Sequence, residues 1–115
     1  MTRPALDIVS ANGSRSGRRV LRLAGRLAIE TVPAFLAAAR KETAPVVILD
    51  MGDLEYMDSS GVGALLQIHV SLAKSNRQLV LASVPEKARM VLEIARLQSI
   101  FPMYSSVAIA EELLP

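Results

Sequence analysis

Pro45-Val46-Val47-Ile48-Leu49-Asp50-Met51-Gly52-Asp53-Leu54-Glu55-Tyr56-Met57-Asp58-Ser59-Ser60-Gly61-Val62-Gly63 sets the reading of the chain. An apolar β-branched run, Val46 to Leu49, ends at an acidic residue, and a short acidic connection follows. Asp58-Ser59-Ser60-Gly61 then opens an apolar helical pattern. The stretch reads as a strand that delivers two hydroxyls to the start of a helix. The first backbone N–H groups of a helix lack intrahelical acceptors and the helix dipole favours negative charge there, so the place suits a phosphate. One of the two serines reads as a switch.

Working outward, Ala5 to Ser10 and Arg19 to Ala24 read as two strands, with Val20 and either Leu21 or Leu23 turned inward. Between them Asn12-Gly13 and Gly17 in a polar stretch are turn chemistry, which predicts an antiparallel hairpin closed off by Gly25. Thr31 is placed to cap a helix over Val32 to Lys41, with Pro33 in the first turn, where its missing N–H costs nothing. Pro45 forces an extended start, and Val46 to Leu49 has the unbroken apolar character of a strand buried on both faces.

From Ser60 to Lys74, counting about 100° per residue gathers Ser60, Gly63, Ala64, Gln67, Ser71 and Lys74 on one face. Val62, Leu65, Leu66, Ile68, Leu72 and Ala73 fall on the other. The first face is flat and small rather than charged, as the close approach of a partner's helix would need. Gln78 to Ala82 reads as a further strand and Pro85-Glu86 as the start of a helix through Ala95, with Ala88, Val91, Leu92 and Ala95 as its core stripe. Met90, Ile94 and Leu97 widen that arc, which the reading assigns to packing. Phe101 to Tyr104 is a last strand, and Ser105 or Ser106 caps a helix over Val107 to Leu114.

The 115 residues fit one domain with an aliphatic core, since 51% are hydrophobic and only 3% aromatic. Cysteine is absent, so no disulfide or thiolate metal site can form. No apolar run reaches the roughly 18 residues of a membrane span. Met1-Thr2-Arg3-Pro4 leads into no signal-peptide core, and the expectation is a soluble cytoplasmic protein. The net charge of +2 is too small to argue for nucleic acid. Six arginines against Asp7 give residues 1–26 a charge of +5, and seven bases against ten acids give the remainder −3. Without aromatic residues among those first 26 there is no stacking platform, so the basic end reads as a solvated face of the hairpin.

Catalytic chemistry is poorly supplied. Asp50, Asp53, Glu55 and Asp58 lack a histidine or further oxygen ligand at a recognised spacing. The single histidine, His69, falls in the apolar arc opposite Ser60, where it cannot serve a serine triad. Gly61-Val62-Gly63 lacks both the third glycine of a dinucleotide fingerprint and the lysine of a P-loop.

Asp58-Ser59-Ser60-Gly61-Val62-Gly63, preceded by Val47-Ile48-Leu49-Asp50 and Leu54-Glu55-Tyr56-Met57, resembles the signature of STAS domains, most closely of bacterial anti-sigma factor antagonists. The likeness runs across nearly the whole chain, from a strand over Leu21 to Leu27 to the closing helix, strand and helix of Leu92 to Phe101 and Tyr104 to Leu113. It implies a single α/β domain over residues 1–115, with a mixed sheet of about five strands and about four helices packed mainly on one side. It further implies a non-enzymatic regulator of transcription. On this resemblance Ser59 is expected to accept phosphate from an anti-sigma factor that is also a serine kinase, and a serine phosphatase to remove it. The unmodified protein holds the anti-sigma factor and so frees a sigma factor, and the phosphorylated form lets go.

The implied partner-binding residues are Asp58, Ser59, Ser60, Gly61, Gly63, Ala64, Gln67 and Ser71. No cofactor, metal, direct nucleic-acid contact or membrane insertion is expected. Asp58 caps the helix or contacts the kinase. Gly61 and Gly63 either keep the surface low or let the helix pack closely on a strand. Gly25-Arg26-Leu27-Ala28 departs from the family's usual glycine, glutamate, leucine, aspartate, so a carboxylate expected near the partner surface is missing at Ala28. The same resemblance admits a STAS subunit or scaffold of a lipid or anion transporter, or of a stress-signalling complex, without a phosphorylation cycle.

Overall fold

Alternation of apolar and polar residues builds the first hairpin in the computed structural model, which describes residues 5–115. Met1 to Pro4, read above for a leader, lie outside them. Strand β1 (Leu6–Asn12) pairs antiparallel with β2 (Arg18–Leu27), in register from Leu6 opposite Gly25 to Asn12 opposite Arg19. Gly25 does not close the unit: β2 runs through it to Leu27. Its φ of +112° is glycine territory, and a Cβ there would sit 2.4 Å from the Ala5 carbonyl oxygen.

Helix α1 (Val32–Arg40) follows, then β3 (Val46–Met57), α2 (Ser59–Ala73), β4 (Gln78–Ala82), α3 (Glu86–Ile94), β5 (Met103–Tyr104) and α4 (Val107–Leu113). Strand order is β1-β2-β3-β4-β5, with β2 to β5 parallel to one another. Each crossover advances one strand in the same direction. Right-handed connections therefore place α1, α2 and α3 on one face of the sheet, and α4 covers the other.

Central strand β3 is buried on both faces, as its composition predicts. Val47, Leu49 and Met51 join Leu21, Leu23, Phe35, Leu65 and Leu92 in the main core, while Ile48 joins Val80, Ala82, Ala110 and Leu114 beneath α4. Burying one such aliphatic side chain contributes about 1.5–3 kcal/mol. His69 is half-buried, edge-on to the Phe101 ring at 5.5 Å.

Several expectations need correction. β3 does not stop at Leu49 but absorbs the acidic connection as far as Met57, because β2 offers it a long partner edge. The extra residues are taken up as two bulges, where Ala24 pairs with Asp53 and Arg26 with Tyr56. The Thr31 hydroxyl makes no cap. It accepts from the Ala28 N–H at 3.0 Å and lies within donating distance of the Arg26 carbonyl, closing the turn before α1. β5 keeps only Met103 and Tyr104 of the strand read from Phe101. Ala73 and Ala95 are exposed, as are Met90 and Ile94, whose outward face α3 leaves uncovered; Leu97 does pack on the core.

The basic hairpin is not simply solvated. Arg18 is buried, donating to the carbonyls of Glu111, Leu114 and Pro115, and Arg19 pairs with Glu42 at 2.9 Å. Among the described residues no helix is long and apolar enough to cross a membrane.

Candidate functional site

Parallel strands β2, β3 and β4 end at one edge of the sheet, and the loops after them carry Ala28 to Thr31, Asp58 and Ser83 to Pro85. Open α/β sheets bind their ligands outside the carboxyl ends of such strands, in a crevice where strand order reverses. The order here never reverses, so this end is a shallow surface.

Asp58 takes the N-cap of α2 in extended backbone, and its Oδ1 accepts from the Gly61 N–H at 3.1 Å. Its own N–H reaches the Leu27 carbonyl at 3.4 Å, tying the start of α2 to the end of β2. The capping role of Asp58 is thus present. Ser59, first residue of the helix, is exposed, and Ser60 is half-buried. Among the described residues the Ser59 and Ser60 amides find no protein acceptor, so two helix donors remain free beside the Ser59 hydroxyl.

The two glycines separate. A Cβ on Gly61 would lie 2.4 Å from the Leu27 carbonyl oxygen and 2.8 Å from Met57 Cγ, so Gly61 serves close packing. A Cβ on Gly63 would meet nothing within 4 Å, and Gly63 keeps the outer surface low.

The outer face of α2 is narrower than the helical wheel implies. Gly61 and Ala64, both read as partner-binding, are buried, and Ala64→Arg would break packing instead of probing a surface. The wheel assumed one contact with the sheet, whereas α2 packs against α1 and α3 as well, which widens its buried arc. Ser59, Gly63, Gln67, Ser71 and Lys74 remain exposed, joined by Val70. Val70 was missed although it continues the helical spacing of Gly63, Gln67 and Lys74.

Ala28 is fully buried, so in this chain that position is interior and the missing carboxylate is not a surface loss. The exposed neighbours are Ile29, 72% exposed, and Glu30, which the sequence did not single out. Glu30's own backbone N–H and the Arg26 guanidinium at 3.1 Å hold its carboxyl below the usual range, with Asp58 acting in the opposite sense. Arg26 also lies over the Tyr56 ring, 4.3 Å from its centroid. Elsewhere in the acidic stretch, Asp53 pairs with Arg22 and Asp50 accepts from the Gly52 N–H at 3.2 Å. Among the described residues no three histidine or carboxylate side chains converge as a metal site.

Comparison with known proteins places this geometry. The model of the STAS domain matches residues 10–110. A protein of Bordetella bronchiseptica named "Putative anti-sigma factor antagonist BtrV" is 35% identical over 77 residues, a match spanning 67% of this chain and 66% of that protein. An anti-sigma factor antagonist from Mycobacterium paratuberculosis superposes with a TM-score of 0.82, at 19% identity and 97% coverage of both chains. The phosphorylated form of the Bacillus cell fate determinant SpoIIAA gives 0.67, at 21% identity, covering 96% of this chain and all of that one (100%). A sulfate transporter family protein from Wolinella succinogenes gives 0.73, at 19% identity, covering 86% and 88%. At those identities the structures speak for the fold, and the family model, matched over most of the sequence, for descent: the chain belongs to the STAS domain family.

Proposed function

We propose that this chain is an anti-sigma factor antagonist, a non-enzymatic cytoplasmic regulator that holds an anti-sigma factor when unmodified and releases it when Ser59 is phosphorylated. The observation that carries the reading is the exposed Ser59 at the start of a capped 15-residue helix, with the low stripe of Gly63, Gln67 and Ser71 leading away from it. The likeness to the protein named for anti-sigma factor antagonism supports it.

Ser59 is a substrate in this scheme. It needs no base of its own, because kinases bring their own aspartate, Mg²⁺ and nucleotide. The added group carries about −1.5 to −2 charges, which the free amides and helix dipole accommodate without unfolding α2. Its effect falls on the partner, which must then approach a phosphate set beside Asp58 and Glu30. A serine phosphatase resets the cycle. Asp58, Ser59, Ser60, Gly63, Gln67 and Ser71 form the contact surface.

The test is incubation with the partner kinase and ATP, followed by mass spectrometry. One phosphate on Ser59 is expected, and modification of neither Ser59 nor Ser60 would refute the switch. A second reading, a transporter-associated or signalling scaffold without phosphate exchange, draws on the likeness to the sulfate transporter family protein. It requires Ser59→Ala and Ser59→Asp to bind the partner equally.

A further inference from the structure

We propose that the depression between the end of β3 and the start of α3 is an anchor pocket for one apolar side chain of the protein partner, and that Glu55 and Glu86 on its rim select a basic segment around that side chain. The inference rests on the partner-binding reading and adds a docking element that acts independently of Ser59 modification.

Leu54, Met57 and Ala88, all buried, form the floor, with Tyr56 and Pro85 at the sides and Glu55, Glu86 and Lys87 at the rim. The volume is about 140 Å³. A cavity of roughly 150 Å³ holds a benzene ring, and small-molecule sites run to about 300–1,000 Å³. The depression therefore has room for a leucine or phenylalanine side chain and none for a nucleotide. Met57 lies two residues before Ser59, so a partner whose active site reaches that hydroxyl covers this ground as well.

Charge specifies the rest of the occupant. Glu30, Glu55, Asp58 and Glu86 lie at this end of the sheet against Arg26, Lys87 and Arg89, and Arg26 is already engaged by Glu30. On a chain whose net charge is +2, this end carries an excess of carboxylates over bases. A lysine- or arginine-bearing segment is steered to such an end, while an acidic one is repelled. Along α3, Met90 and Ile94 follow Glu86 at four-residue spacing, 51% and 81% exposed, and extend the apolar track beyond the pocket.

The experiment uses the chain carrying Ser59→Ala, so that no phosphate intervenes, titrated with a purified anti-sigma factor. The pair Glu55→Lys with Glu86→Lys, and separately Ala88→Leu to fill the pocket, should each weaken binding about tenfold or more, with unchanged circular dichroism. The charge pair should also flatten the salt dependence. If Ala88→Leu fails to fold, the surface pair decides alone. Wild-type affinity in the folded variants overturns the anchor. So does a concentration-dependent self-association that the charge pair abolishes, since it would seat a second copy of the chain here. Phosphate on Ser59 together with unaffected binding would leave the switch standing and the anchor lost; weakened binding without any phosphate would do the reverse.

Discussion

The molecule has two polar ends, one rich in arginine and one rich in carboxylates, that differ in use. Near the hairpin tip, Arg18, Arg19, Glu42, Arg77 and Glu111 are at least partly buried and engaged by neighbours. Arg18 ties down the end of α4 by donating to the carbonyls of Glu111, Leu114 and Pro115, Glu111 Oε2 accepts the Ser14 N–H at 2.6 Å, and Arg77 donates to the carbonyls of Glu42 and Ala44. At the opposite end, Asp58, Ser59, Glu55 and Glu86 lie at the surface, and two helix amides are unspent. Buried polar groups that have found their partners hold a fold together, whereas donors and hydroxyls left at a surface are available to another molecule.

Removing a committed charge should have the largest effect. Arg18→Ala removes the charge facing the Glu111 carboxylate and the donors to the buried Glu111 and Leu114 carbonyls, and chemical denaturation should show a loss of about 3–5 kcal/mol. That is a large share of the roughly 5–15 kcal/mol that holds a domain folded. At the other end, Gly61→Ala should cost about 1–3 kcal/mol by overpacking against the Leu27 backbone.

Asp58→Ala should cost about 1 kcal/mol, the usual worth of an N-cap, with Asp58→Asn recovering most of it. Gly63→Ala should raise stability by roughly 0.5–1 kcal/mol, because alanine is the better helix former and the added methyl meets nothing. A stabilised Gly63→Ala that binds its partner poorly would mark the outer face of α2 as the docking surface, and normal binding would move that surface elsewhere.

The smallest effect is a pH dependence. Burial alone would raise the Glu111 carboxyl, but the Ser14 and Arg15 backbone donors and the Arg18 charge outweigh it and hold the group below its ordinary value of 4.5. A carboxyl depressed in the folded state contributes stability that is fully present above the unfolded value and is lost as pH falls below it toward the folded one. Acid titration should therefore cost the wild type more stability below pH 4.5 than it costs Glu111→Gln, with parallel curves above.

Much of this was legible in the residues themselves. The order of elements, the Asp58 cap and the exposed Ser59 followed from local chemistry, since capping and apolar periodicity depend on neighbours in sequence. What escaped was set by distant partners. Val46 to Leu49 looked like a complete strand because Gly52 and Asp53 interrupt its apolar run, yet pairing with ten-residue β2 carries it to Met57. Ala64 looked exposed because a wheel drawn against one sheet does not contain α1 and α3. Arg18 looked like any hairpin arginine, and only the return of α4 more than ninety residues later buries it. Ile29 carried no periodic signal, being one apolar residue in a turn.

The central claim is that Ser59 is a switch read by a protein partner. The direct test is calorimetric titration of one anti-sigma factor with two preparations of this chain, unmodified and singly phosphorylated at Ser59. Tight binding by the first and about tenfold or greater weakening in the second, with unchanged circular dichroism, is expected. Equal affinity for both preparations would contradict the account.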